Sequence, residues 1–206
     1  MTARLGVGKV NAAVAVTLLL DHFSPTAVIL SGTAGAVDPD LNPGDVVVGT
    51  SVRYHDFGTM TADAFVREPT RDPTSGQLDR VLFPAGDELL AAARRAAITF
   101  EPSRLADDAV GPAPQIREGA IVTGDVFISS LPLREELRRE LNATAVEMEG
   151  AAVAQVCARF GVRLLVIRSI TDRAEAQATG SYQRNVDLAS RNAADLALAT
   201  IHEWMK

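Results

Sequence analysis

Short apolar runs rich in β-branched residues alternate along this chain with longer stretches whose apolar positions recur every three or four residues, the pattern of an α/β fold. The spacing predicts strands over residues 27–30, 45–54, 115–123, 143–146 and 163–167. It predicts helices over 9–22, 87–99, 131–141, 148–160 and 182–205. In the last helix Val186, Ala189, Ala193, Leu196, Ala197 and Ile201 fall on one stripe, suited to packing on a sheet. Between 57 and 86 the pattern dissolves into Thr, Asp, Arg, Pro and Gly, and Pro69, Pro73 and Pro84 forbid a continuous helix or central strand. Long excursions of this kind in compact domains are often functional. A shorter break covers 101–114. With 206 residues, 47% of them hydrophobic, the chain has material for one core, so a single domain over 1–206 is expected.

The formal net charge of −6 leaves no broad basic surface, so neither nucleic acid nor an anionic membrane is an expected partner. The apolar stretch at 10–20 contains Asn11, is too short to span a bilayer and lacks a secretory cleavage site, which points to the cytoplasm. Cys157 is the single cysteine and sits in an apolar helical stretch, where it reads as core. His22, His55 and His202 are scattered without ligand spacing, so no metal and no other cofactor is expected.

Open α/β sheets bind ligands beyond the carboxyl ends of their strands, which makes the residues after each apolar run the place to look. Four runs end alike: in Ser31-Gly32-Thr33-Ala34-Gly35-Ala36, in Thr123-Gly124-Asp125-Val126-Phe127-Ile128, in Glu147-Met148-Glu149-Gly150, and in Arg168-Ser169-Ile170-Thr171-Asp172. Taken singly, each has a structural explanation: a turn, a core phenylalanine, a carboxylate favouring a helix N-terminus at Glu149, an N-cap at Asp172. Together they gather tight glycines, an aromatic ring and several carboxylates at one edge of the sheet. That inventory suits cleavage of a purine–ribose bond. The reaction builds positive charge on the sugar and negative charge on the base, so it calls for an acid at a ring nitrogen and a carboxylate on the sugar hydroxyls. A partly desolvated acid, with its pKa raised towards working pH, can donate the proton, while an aromatic face receives the base.

These blocks, with Asn42-Pro43-Gly44-Asp45-Val46-Val47-Val48 and Arg53-Tyr54-His55-Asp56, resemble the corresponding stretches of methylthioadenosine/S-adenosylhomocysteine nucleosidases, in order and approximate spacing from Gly6 to the C-terminus. The resemblance implies a three-layer α/β/α fold, nucleoside phosphorylase-like, with a central mixed and twisted sheet that lacks its first strands. It places Asp172 as the acid for purine N7, supported by Thr171. Glu149 takes the position of the carboxylate on the ribose hydroxyls, with Met148 against the sugar and Glu147 in the same substrate-binding block. Phe127 matches the ring that stacks on adenine and the backbone of Ile128 the group that reads its edge. Gly35, with Thr33 and Ala34, matches the turn near the sugar and the attacking water, Arg168 an arginine near that water, and Val7 a lining residue for the 5′-thio substituent. In the family a strand and a water-activating glutamate precede the Gly6-Val7-Gly8-Lys9 block; this sequence begins at Met1, a few residues before it, and shows no counterpart. The resemblance further implies a purine nucleoside as small-molecule partner and a homodimer, for which apolar surface beside Val46 and Val48 or on the 57–86 excursion would be consistent. Three readings follow: a hydrolase releasing adenine, a phosphorylase using phosphate, and a nucleoside-binding protein that does not turn over.

Overall fold

The apolar run at 27–30 does not end as a strand where its apolar character ends; it continues through the small residues behind it to form β1 (Ala27–Ala36). The run at 163–167 extends likewise into β8 (Arg163–Asp172). The two lie parallel, with Ala27 opposite Arg163 and Gly35 opposite Asp172 across one register shift, so both deliver their polar ends to the same edge. The computed structural model describes residues 1–104 and 113–206. The predicted break at 101–114 therefore lies partly outside the described residues.

The other elements are α1 (Lys9–Phe23), β2 (Val46–Tyr54), β3 (Gly58–Met60), β4 (Phe65–Arg67), β5 (Phe83–Pro84), α2 (Asp87–Ala97), β6 (Ile116–Thr123), α3 (Leu131–Leu141), β7 (Ala143–Glu147), α4 (Gly150–Phe160) and α5 (Ala178–Trp204). The main sheet runs β5-β2-β6-β7-β1-β8 and also pairs β2 with β8, so that it curls back on itself. It is mixed: β2–β6, β6–β7 and β1–β8 are parallel, while β1–β7, β2–β8 and β2–β5 are antiparallel. The sequence expectation of an α/β fold around a mixed sheet is met.

Alternation along the strands divides the core. Leu30, Val47, Ile121 and Val166 pack with Ala12, Val16 and Leu20 of α1 and with Val153 and Cys157 of α4. Val46, Val48, Leu165 and Ile167 face Leu89 and Ala93 of α2 and Ala193 and Leu196 of α5. A third cluster joins Val122 and Val146 to Leu137 and Leu141 of α3. Val46 and Val48 are thus core, at 0% and 2% exposure, and offer no partner surface. Exposed apolar surface lies instead on the outer face of α1, where Val10, Val14 and Leu18, four residues apart, are 73%, 57% and 64% exposed.

The excursion forms a small β3–β4 hairpin and then the short β5, which pairs with β2. Its strands, of two and three residues, are too short to give a periodic signal, and distant side chains add to their short ladders. Arg67 binds Glu136 and Glu140 of α3, and Arg159 of α4 binds Asp72 and Asp79. Among the described residues no helix is long and apolar enough to cross a membrane.

Candidate active site

A cavity of about 740 Å³ opens at the carboxyl ends of β1, β6, β7 and β8, and all twelve residues singled out in the sequence line it: Val7, Thr33, Ala34, Gly35, Phe127, Ile128, Glu147, Met148, Glu149, Arg168, Thr171 and Asp172. Of the two structural explanations for its carboxylates, that for Glu149 is met in position: Glu149 stands at the N-cap of α4 with φ −132° and ψ −36°, where the helix dipole favours a carboxylate, but its side chain makes no capping hydrogen bond. It turns into the cavity, where Oε1 accepts from the Gly8 backbone N–H at 2.9 Å and Oε2 from Arg168 Nη2 at 3.2 Å. Asp172 ends β8 and is not the N-cap of α5, which is Gln177.

Asp172 is 2% exposed, and burial raises its pKa above the ordinary carboxylate value. Two hydrogen bonds oppose that rise without overcoming it: the Ala174 N–H donates to Oδ1 at 2.9 Å, and the Thr171 hydroxyl to Oδ2 at 2.8 Å. The Thr171 oxygen also lies 3.2 Å from the Ala34 carbonyl. If its proton turns to that carbonyl, its lone pair faces Asp172 and can accept from the protonated acid. Gly35 is required here, since a Cβ on it would lie 2.9 Å from Asp172 Oδ1.

Glu149 is also raised, first by burial and then by the neighbouring Glu147, against the lowering pull of Arg168 and the Gly8 N–H. Glu147 itself has little left for a ligand. It is 5% exposed and accepts from the Thr123 hydroxyl, from Arg168 Nη2, from Glu149 N at 3.0 Å and from Gly150 N at 2.8 Å. Its geometry is that of a group fixing the turn that carries Glu149 and the arginine that meets it. Arg168 reaches both carboxylates by crossing β1 at Gly32, its partner in the ladder, where a Cβ would collide with Nη1. Gly32→Ala should therefore push Arg168 off both glutamates, destabilise the fold by about 1–3 kcal/mol and lower activity, as thermal unfolding and a rate assay would register; unchanged values for both would contradict this packing.

Phe127 is 44% exposed and presents its ring to the cavity. The ring of Tyr182 in α5 meets it edge-on, with centroids 5.8 Å apart. The side chain of Ile128 is buried with Val37 and Leu137 at the wall of the cavity. The turn is held from the segment just after β2: Asp56 accepts from the Asp125 N–H at 2.8 Å and pairs with Lys9, whose own backbone N–H donates to Asp125 at 2.8 Å. Val7, 68% exposed, lies at the mouth.

The sequence reading missed the wall that α5 supplies, Thr179, Tyr182, Gln183 and Val186. Val186 was assigned to the sheet-facing stripe, and three- and four-residue spacing from it does reach Tyr182 and Thr179; the cavity was not legible in that spacing alone. Among the described residues lining the cavity Arg168 is the one cation, and it is already engaged by two carboxylates.

A family model described as "Phosphorylase superfamily" matches residues 2–202. The chain is 39% identical over 197 residues to a 5′-methylthioadenosine/S-adenosylhomocysteine nucleosidase of Halalkalibacterium halodurans, covering 95% of this chain and 77% of that protein. Among solved structures it is similar to a nucleosidase of the same description from Colwellia psychrerythraea 34H in complex with adenine, with a TM-score of 0.79 and 32% identity over 98% of this chain and 76% of that one. It is also similar to futalosine hydrolase of Helicobacter pylori strain 26695, at a TM-score of 0.78 and 29% identity, over 97% of this chain and 77% of that one.

Proposed function

The chain belongs to the Phosphorylase superfamily, and from that premise we propose that it hydrolyses the N-glycosidic bond of 5′-methylthioadenosine or S-adenosylhomocysteine and releases adenine. The observation that carries this reading is the convergence of a buried, pKa-raised Asp172, the carboxylate of Glu149 and the open ring of Phe127 on one cavity. Asp172 donates its proton to purine N7 as the glycosidic bond breaks, which turns a poor anionic leaving group into neutral adenine. Glu149 accepts from the ribose hydroxyls and offsets the positive charge that grows on the sugar. Phe127 stacks on the base, with Ile128 at its edge; Met148 packs on the sugar, and Thr33, Ala34 and Gly35 border the side from which water attacks.

Water is favoured over phosphate as nucleophile by charge. A phosphate needs free arginine donors or backbone N–H groups. Here Arg168 is held by Glu147 and Glu149, so the cavity wall carries more carboxylates than cations even with Asp172 protonated. Incubation with 5′-methylthioadenosine should release adenine and free methylthioribose at the same rate with and without phosphate. A phosphorylated sugar product would replace hydrolysis with phosphorolysis, and nucleoside binding without release would leave a binding protein.

We also place this activity in the cytoplasm and in a homodimer. The apolar ridge of Val10, Val14 and Leu18 supports the second point, being a continuous exposed stripe opposite the buried Ala12, Val16 and Leu20. Light scattering should give twice the 21.8 kDa chain mass, and Val14→Asp should shift it towards a single chain; a monomeric parent protein would refute the assignment.

A further inference from the structure

His55 follows β2 directly and is 5% exposed, yet its imidazole Nε2 has no hydrogen-bond partner among the described residues. A buried polar atom left unpaired costs stability comparable to a lost hydrogen bond, so an imidazole here calls for a reason of shape or function. Its neighbour supplies one. A Cβ on Gly124 would collide with Nε2 and Cε1 of this ring and would lie 2.9 Å from Asp56 Cγ. The imidazole thus fills the space against Gly124 that a side chain would otherwise take. Gly124 opens the segment that brings Phe127 and Ile128 to the cavity.

The ring is held where it stands. The His55 N–H donates to the Thr123 carbonyl at 2.9 Å, and the His55 carbonyl accepts from Arg67 Nε at 2.9 Å, so the backbone is clamped between the end of β6 and the β3–β4 hairpin. Arg67 is anchored in turn to Glu136 and Glu140 of α3. Gly124 is fixed independently, its N–H donating to the Glu147 carbonyl at 3.1 Å. Burial lowers the pKa of the imidazole; of the charges that face it, Asp56 and Glu147 pull it upward, while Arg67 and Lys9 push it further down. At neutral pH the ring is therefore uncharged and acts by its bulk.

We propose that His55 is a positioning residue for base recognition: its ring, wedged against Gly124, sets where Phe127 and Ile128 meet the purine. The inference rests on the reading of this cavity as a nucleoside site. His55 does not line the cavity and touches no substrate; it acts through the turn. It also gives the 57–86 excursion a task in that site, because Arg67 is what holds His55 from the hairpin side.

Kinetics on 5′-methylthioadenosine, with calorimetry of adenine alone, separate this role from a merely structural one. His55→Ala should raise KM and the Kd for adenine by about tenfold each, with kcat within about threefold of the parent. His55→Gln places an uncharged amide near the position of Nε2 and should recover most of both losses. His55→Asn, one methylene shorter, should behave as the alanine variant, and it tests the same point should the alanine variant fail to fold. Shortened variants with parental KM and adenine affinity would overturn the proposal, as would a glutamine variant as impaired as they are. Amide resonances of Gly124 to Ile128 in the ligand-free protein give a readout apart from catalysis: they should move in the shortened variants and return towards their parental positions with glutamine. A parent protein that neither binds nor releases adenine would remove the proposed function, whereas unmoved amides would remove the role of His55.

Discussion

Asp172→Asn is expected to lower adenine release by roughly a thousandfold while the protein remains folded. The amide is nearly isosteric with the acid, can still accept from the Ala174 N–H, and keeps a polar contact with Thr171. What it lacks is the proton. The stability consequence has a definite sign. Because burial raises the folded-state pKa of Asp172, the contribution of this group to stability is fully present below its unfolded value and is lost as pH rises through the folded value. At pH 8 the substitution should therefore leave the thermal midpoint equal to or above that of the parent. In the proposed mechanism the same raised pKa should set the alkaline limb of the rate profile, since the proton-donating form disappears as pH increases. An Asp172→Asn enzyme with ordinary turnover would remove Asp172 from the chemistry.

Glu149→Gln should reduce kcat/KM by about a hundredfold, with most of the loss in kcat. A neutral amide still meets Gly8 and the ribose hydroxyls, so nucleoside binding weakens less than the rate. It no longer opposes the positive charge that develops on the sugar. Arg168 would lose one of its two carboxylates and stay anchored by Glu147, so the local packing should survive. In the proposed mechanism Glu149 works as the ionised form, and since burial raises its pKa, the parent rate should fall on the acid side at a pH above the usual carboxylate range. That acid limb should vanish in the glutamine variant. Its persistence would assign the limb to another group, and unchanged kinetics would return Glu149 to a structural role at the start of α4.

The pattern of strands and helices was legible because apolar spacing reflects burial, and burial decides most of these elements. Its boundaries were less so. β1 and β8 run through small and polar residues because each supplies the other's ladder, a cross-strand effect that local hydrophobicity cannot register. Helix α4 begins at Gly150 and not at 148, since Glu149 departs from helical geometry with φ −132° and ψ −36°. Helix α5 begins at Ala178, ahead of the predicted 182, across a polar stretch containing Gly180 that propensity alone disfavours. The excursion's β3, β4 and β5 were invisible for the same reason, being short and held by distant side chains such as Glu136 and Arg159.

The site was more legible than the boundaries. Its residues cluster at strand ends, so one topological expectation brings them together. Two features needed coordinates. The occupation of Glu147 by Thr123, Gly150 and Arg168 depends on three elements meeting, and the edge-on contact of Tyr182 with Phe127 joins segments far apart in sequence.

The central claim is that Asp172, Glu149 and Phe127 hold one nucleoside between them. A crystal structure of Asp172→Asn soaked with 5′-methylthioadenosine tests it directly. The account predicts the uncleaved nucleoside in the cavity, with N7 within hydrogen-bond distance of residue 172, both ribose hydroxyls on Glu149 and the adenine plane against Phe127. A nucleoside bound elsewhere, or turned so that its sugar meets residue 172 and its base meets Glu149, would contradict it.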